Sequence, residues 1–201
     1  MLSEIVVATG NRGKLREFMT LLSDVSGIVT SLRDYWNPIV SIPENGATFY
    51  ENALGKAQWV FSKVGKPSLA DDSGLEVDFL NGEPGVRSAR FAGDGATDQK
   101  NLEKLMILLK ECPPEKRTAR FRCVLVFVCS DKEIITAEGR CEGVIGHVSM
   151  GSNGFGYDPV FIPSGFHQTF AQLSEAVKNR ISHRATALIE LKKKLYERTA
   201  A

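Results

Sequence analysis

The stretch IVVATGNRGKLREF, Ile5 to Phe18, decides the fold class. Ile5 to Ala8 is an apolar run that predicts a buried strand. A Gly-containing turn follows, and Leu15, Phe18, Met19 and Leu22 then recur at helical spacing. A strand feeding a helix through a short polar turn is how an α/β fold begins. The phosphate loop of many nucleotide hydrolases runs G-x-x-x-x-G-K-[ST]. Gly13 and Lys14 match it, but Ala8 replaces the first Gly and Leu15 the metal-binding hydroxyl. Two roles fit such a turn. Its helix N-terminus can receive phosphate oxygens, with Thr9, Asn11 and Lys14 as added donors. Alternatively, Asn11 simply caps the helix.

Downstream, Thr48-x-x-Glu51 forms a capping box ahead of a helix. Phe49, Ala53, Val60 and Val64 lie on its stripe, and it stops near Gly65 and Pro67. In SLADDSGLEVDFL, a short apolar strand leads into Asp71 and Asp72, Ser73-Gly74 favours a turn, and Leu75, Val77 and Phe79 alternate as a half-buried strand. Leu102, Leu105, Met106 and Leu109 predict a helix closed by Pro113. A hairpin then turns near Ser130 to Lys132. After the Gly-rich loop MGSNGFGYDP come a short strand, Val160 to Ile162, and a last helix capped by Ser182 with Leu188, Leu191 and Leu195 inward. This order predicts a mixed α/β fold: a central sheet with flanking helices, in two lobes around a cleft, as a single domain over 1–201.

The 201 residues are 43% hydrophobic and 24% charged, as in globular proteins. With 25 Lys and Arg against 24 Asp and Glu, the net charge of +1 disfavours a nucleic-acid polymer as partner and leaves room for a small anion in a local basic pocket. Arg120 and Arg122 in RTARFR, which begins at Arg117, share one strand face opposite Phe121 and Cys123, so a solvated face explains them. No apolar stretch approaches the ~20 residues that span a bilayer, so no membrane is expected. MLSEIVVATGN lacks a basic leader. The four cysteines (Cys112, Cys123, Cys129 and Cys141) form no C-x-x-C pair, and Cys123 and Cys129 face the same side of their strand. Buried thiols in a reducing cytoplasm follow.

Chemistry gathers at five places. Asp71 and Asp72 repel each other unless compensated: one suits a turn hydrogen bond, the other a hard cation such as Mg²⁺. Glu44 is a second loop acid, able to complete a metal shell. Lys56 falls near the buried helix stripe, where it either snorkels outward or meets an anion. In GFGYDP, Phe155 or Tyr157 can stack on a base and Asp158 can accept from a base or ribose, unless the loop is merely plugged by its aromatics. KNRISHR supplies Lys178, Arg180, His183 and Arg184, either as a solvated helix end or as donors to a base or phosphate.

TGNRGK, ENGATFYENA, ADDSGL, GVRSARFAG, GFGYDPVF and KNRISHR, in this order from about residue 5 to about 195, closely resemble the inosine triphosphate pyrophosphatase family. The resemblance implies a two-lobed α/β fold, usually a homodimer, and Mg²⁺-dependent hydrolysis of deaminated purine nucleoside triphosphates (ITP, dITP, XTP) to monophosphate and pyrophosphate. It implies that Thr9, Gly10, Asn11, Arg12, Gly13 and Lys14 bind the triphosphate, and that Asp72 is the metal-linked general base with Ser73 beside it on the substrate. By the same resemblance Glu44 helps hold Mg²⁺, Lys56 meets the phosphates, and Phe155, Gly156, Tyr157, Asp158, Lys178, His183 and Arg184 contact base and substrate. Pro43 departs from the pattern, since many relatives carry an acid there.

Overall fold

A continuous apolar run builds the first strand, β1 (Ile5–Val7), whose three residues are all buried. The computed structural model describes residues 4–199; Met1 to Ser3, where the leader expectation begins, and the last residues of the 1–201 domain lie outside them. Helix α1 (Arg12–Leu21) follows. Phe18 and Leu22, four apart, are sealed, whereas Met19 is 52% exposed because it lies ~100° around the helix from Phe18. Two further elements were too short for periodicity to reveal: β2 (Val29–Ser31), parallel to β1, and α2 (Leu32–Tyr35), opened by a Ser31–Asp34 capping box.

Helix α3 (Phe49–Val64) ends on Gly65 in the left-handed region. Its capping box is offset. Thr48 Oγ1 accepts the Glu51 N–H at 3.1 Å, but the Glu51 carboxylate reaches past the cap to the Ala47 N–H at 2.6 Å. Strand β3 (Ser68–Val77) corrects the expected strand-turn-strand, because Asp71-Asp72-Ser73-Gly74 continues it without a turn. Placement of β3 between β1 and β4 in the sheet overrides the local turn preference of Ser-Gly, and buried partners compensate both carboxylates. Phe79 leaves the strand for a 3₁₀ turn and is 41% exposed.

Helix α4 (Asp98–Leu108) buries Leu102 and Leu105, and β4 (Thr118–Ser130) and β5 (Glu133–Ile145) form the expected hairpin. Strand β6 (Phe161–Pro163) lies one residue beyond its expected place and pairs antiparallel with β5. Helix α5 (Glu175–Ile181) was not foreseen. Helix α6 (His183–Thr199) starts at Ser182, whose Oγ accepts the Ala185 N–H at 3.2 Å. The mixed sheet runs in the order β2-β1-β3-β4-β5-β6.

The described residues form two compact units. One holds the chain up to Asp72, Cys123–Gly139 and the chain from Ala187 on; the other holds Ser73–Arg122 and Arg140–Thr186. In the first unit, period-two alternation splits the core across the sheet. Ile5, Val7, Leu69, Cys123 and Leu125 pack with Phe18, Leu22, Leu188 and Leu191, and Cys129 joins them at the margin. Val6, Ala8, Ala70, Val126 and Val128 pack with Ala53, Ala57 and Val60 of α3. Both faces are covered, which accounts for the unbroken apolar run of β1. In the second unit, Leu75, Val77, Leu105, Leu109, Phe121, Phe161 and Phe170 form the core.

Arg120 and Arg122 are partly exposed and paired, Arg120 to Asp78 at 2.8 Å and Glu142 at 3.0 Å, and Arg122 to Glu76 at 3.6 Å. Arg117 differs from them: it is 3% exposed and donates to the carbonyls of Leu109, Ile145 and Gly146 at 2.7, 2.8 and 2.9 Å. Among the described residues, no helix is long and apolar enough to cross a membrane, and all four cysteines are free thiols.

Candidate active site

Strand parity separates the two adjacent carboxylates. Asp71 shares a face with Leu69, on the side packed by α1, and there Lys14 Nζ meets Asp71 Oδ2 at 2.8 Å. Asp72 shares a face with Ala70, on the side packed by α3. Asn52 Nδ2 of α3 donates to Asp72 Oδ2 at 3.0 Å, and Lys56 Nζ, one turn further on, stands 3.6 Å from Asp72 Oδ1. Both acids stay within the strand rather than at a turn.

Lys56 does not snorkel. It is 6% exposed and donates to Glu44 Oε1 at 2.6 Å, so the anion it meets within the chain is the Glu44–Asp72 pair. Burial opposes its charge, but the fields of Asp72, Asp71 and Glu44 outweigh burial and raise the Lys56 pKa. For Asp72, burial dominates and raises the carboxyl above its ordinary value, against the lowering pull of Lys56, Lys14 and Asn52. The loop carrying Glu44 is seated by Asn52 as well, whose Oδ1 accepts the Gly46 N–H at 2.8 Å.

At the start of α1, Asn11 Oδ1 accepts the N–H groups of Gly13 and Lys14 at 2.8 and 3.1 Å, and Thr9 Oγ1 accepts that of Asn11 at 3.2 Å. The capping role is therefore real, and it uses two donors of this helix end. Gly10 and Arg12 are exposed beside it.

Asp72 and Glu44 are hard oxygen donors, the chemistry Mg²⁺ takes from proteins in ones and twos. Among the described residues no group of three or more His, Cys, Asp or Glu could hold a metal ion, so an all-protein cage is absent from this set while a two-carboxylate site fits it. Lys56 is the cation that now joins the two acids.

In the second unit, Arg184 is 1% exposed and donates from Nη2 to Ser73 Oγ at 3.1 Å. Phe155, half-buried, has Lys178 Nζ 4.9 Å and Arg184 Cζ 5.9 Å from its ring centre. The other loop residues serve the loop itself. Tyr157 is buried and its hydroxyl donates to the Ser88 carbonyl at 2.9 Å, which corrects its place as an alternative stacking ring. Asp158 Oδ2 accepts from the Phe155 N–H at 2.9 Å and from Lys178 at 2.5 Å, so this oxygen locks the turn rather than facing a ribose. Gly154 has no room for a Cβ because the Asp158 carboxylate fills that space. His183 stacks on Phe121 at 4.8 Å and 14°. Lys178 and Arg180 belong to α5, where Lys178 is buried and Arg180 is exposed, so Arg180 stands apart from Lys178 and Arg184 beside the Phe155 ring.

Sequence reasoning missed Asn52 and Asp98. Asn52 lies four residues before Lys56 on the buried stripe of α3, and a polar residue there was a legible signal. Asp98 Oδ2 accepts the Gly156 N–H at 2.8 Å across 58 residues of sequence, with no local pattern to announce it.

Comparison with known proteins agrees with this architecture. The chain is 50% identical over 191 residues to the dITP/XTP pyrophosphatase of Shouchella clausii, covering 95% of this chain and 96% of that protein. The Ham1 protein of Coxiella burnetii superposes with a TM-score of 0.86 at 39% identity, covering 98% of this chain and 100% of that one. The nucleoside-triphosphatase / dITP/XTP pyrophosphatase of Mycobacterium abscessus gives 0.75 at 40% identity, covering 94% and 98%. The family model described as the Ham1 family matches residues 5–194, and the chain belongs to that family.

Proposed function

We propose that this chain hydrolyses deaminated purine nucleoside triphosphates (dITP, XTP and ITP) to the monophosphate and pyrophosphate, removing them from the nucleotide pool. Half-identity across nearly the whole length to a dITP/XTP pyrophosphatase carries this conclusion. Chain 1–201 acts as one pyrophosphatase domain, as a cytoplasmic homodimer, without a nucleic-acid polymer or membrane as partner.

Asp72 is the general base. Its raised carboxyl makes it a better proton acceptor near neutrality than an ordinary Asp. Asp72 takes a proton from water as the water oxygen bonds to the α-phosphorus and the bond from that phosphorus to the pyrophosphate oxygen breaks. Lys14 and Lys56 neutralise the departing pyrophosphate, and Thr9, Gly10, Asn11, Arg12 and Gly13 line the triphosphate. Three carboxylates (Glu44, Asp71, Asp72) face two ammonium groups, and that net negative charge repels a triphosphate unless a divalent cation joins. Asp72 and Glu44 would hold Mg²⁺, which supplies phosphate charge neutralisation and a more acidic water when bound.

At the base end, Phe155 stacks on the purine, and Arg184, Ser73, Lys178 and His183 supply the polar contacts, with Gly156, Tyr157 and Asp158 shaping the loop. Donors matched to a 6-oxo acceptor are left unpaired by adenine, which supports selection against ATP.

A panel of nucleoside triphosphates with Mg²⁺, scored for pyrophosphate and monophosphate, tests this. Cleavage of dITP and XTP well above ATP, with pyrophosphate as product, is expected; equal cleavage of ATP and ITP, or orthophosphate as product, sinks the assignment. Asp72→Asn should lose about 10²–10⁴-fold in kcat, and near-normal turnover would remove Asp72 from the base role.

A further inference from the structure

We infer that Asp98 is a positioning residue for the purine: it anchors the Phe155-Gly156 backbone from outside the loop and so presents the Phe155 ring. This rests on the assignment of the Gly-rich loop as the base-binding end of the proposed hydrolase. Asp98 is the first residue of α4 and is exposed. An acid at that position ordinarily serves its own helix end. Here Thr97 does the capping, accepting the Lys100 N–H at 3.3 Å, and Asp98 Oδ2 reaches across to the Gly156 N–H at 2.8 Å. The preceding amide, that of Phe155, is held by Asp158 Oδ2 at 2.9 Å. Two successive peptide groups are thus pinned by two carboxylates, one inside the loop and one on α4.

The external anchor matters because of what it holds. Gly156 has φ 62°, in the left-handed region, and with no Cβ its peptide rotates more freely than that of any other residue. Asp98, by contrast, rides on a fixed frame. Asn101, 2% exposed and one turn along α4, accepts the Ala92 N–H at 2.8 Å and donates to the Ala89 carbonyl at 3.0 Å. Lys104, a further turn on, donates to the Phe91 carbonyl at 2.6 Å. The 3₁₀ segment that carries Ala89, Gly85–Arg90, also receives the Tyr157 hydroxyl through the Ser88 carbonyl. The loop is therefore tied to one rigid body at Gly156 and at Tyr157, on the C-terminal side of Phe155. Removing Asp98 frees the tie next to the ring while the core beneath stays closed, so ordering the ring must be done again each time base binds.

Asp98→Ala and Asp98→Asn of the full chain test this. The readouts are dITP kinetics, calorimetric Kd values for inosine monophosphate and for inorganic tripolyphosphate, which has no base, and thermal unfolding. For Asp98→Ala the KM for dITP and the Kd for inosine monophosphate should each rise about fivefold to tenfold, the loss of a partly exposed charged hydrogen bond. Its kcat should stay within about twofold, and tripolyphosphate affinity and Tm should be unchanged. Asp98→Asn keeps an oxygen acceptor and should stay within about twofold of wild type throughout. Wild-type KM and inosine monophosphate affinity in Asp98→Ala overturn the inference, as do equal losses for tripolyphosphate and the nucleotide, which mark general loosening. Failure of the unsubstituted chain to bind inosine monophosphate or cleave dITP instead overturns the functional assignment on which it rests.

Discussion

Asn52 is 3% exposed and uses both ends of its amide, accepting from the Gly46 N–H and donating to Asp72. Its orientation is set because a backbone N–H can only donate, which leaves the amide nitrogen for the carboxylate. Gly46 permits the approach: a Cβ there would meet Glu51 Cβ at 2.7 Å and Asn52 Oδ1 at 2.8 Å. One side chain thus sets the spacing between the Glu44 loop and Asp72. Asn52→Ala strands a buried amide and removes a donor from a buried carboxylate, so it should cost about 1–3 kcal/mol in urea unfolding and lower kcat. A variant with wild-type unfolding and turnover would show that water replaces both bonds. The polar interruption of the α3 stripe was visible in sequence, whereas its two partners, 6 and 20 residues away, were not.

At the scale of elements, short pieces hold the first unit together through polar ties as well as core. Glu4, just before β1, accepts from Thr30 of β2 at 2.9 Å, Tyr35 of α2 at 2.6 Å and Lys66, ahead of β3, at 2.6 Å. The Lys66 and Tyr35 hydrogen bonds hold the Glu4 carboxyl below its ordinary value of 4.5. A depressed acid stabilises the fold fully above that value and loses its contribution as pH falls through the lower folded pKa. Glu4→Gln should therefore be less stable than wild type near neutrality, and the gap between their urea midpoints should close as pH drops below 4.5. A gap independent of pH would mean the carboxylate charge contributes nothing. Neither β2 nor α2 was legible, because three strand residues and four helical residues each fall short of two full periods, so no repeat can show. The long helices α3, α4 and α6 were legible because their stripes repeat over several turns.

At the scale of the whole molecule, a net charge of +1 disfavours a polyanionic partner, and the β4 arginines Arg120 and Arg122 are paired with acids. Duplex DNA at physiological salt should leave dITP hydrolysis unchanged, and inhibition that weakens steeply with added salt would reveal a phosphate-tracking surface. The sequence by itself determined the alternation of strands and helices, the burial of β1, the free thiols and the ordered set of family motifs, because periodicity and residue chemistry are local. It also carried the parity that sends Asp71 and Asp72 to opposite faces, although the turn preference of Ser73-Gly74 hid it. Only the tertiary structure decided that β3 runs straight through those acids. Pairing with neighbouring strands, together with Lys14, Lys56 and Asn52 arriving from other elements, compensates carboxylates that a local view places at a turn. The same holds for Tyr157 with Ser88, Asp158 with Lys178 and Asp98 with Gly156, whose partners lie far along the chain or on another element: a side chain's chemistry is written in its residue type, but the partner that engages it is chosen by packing.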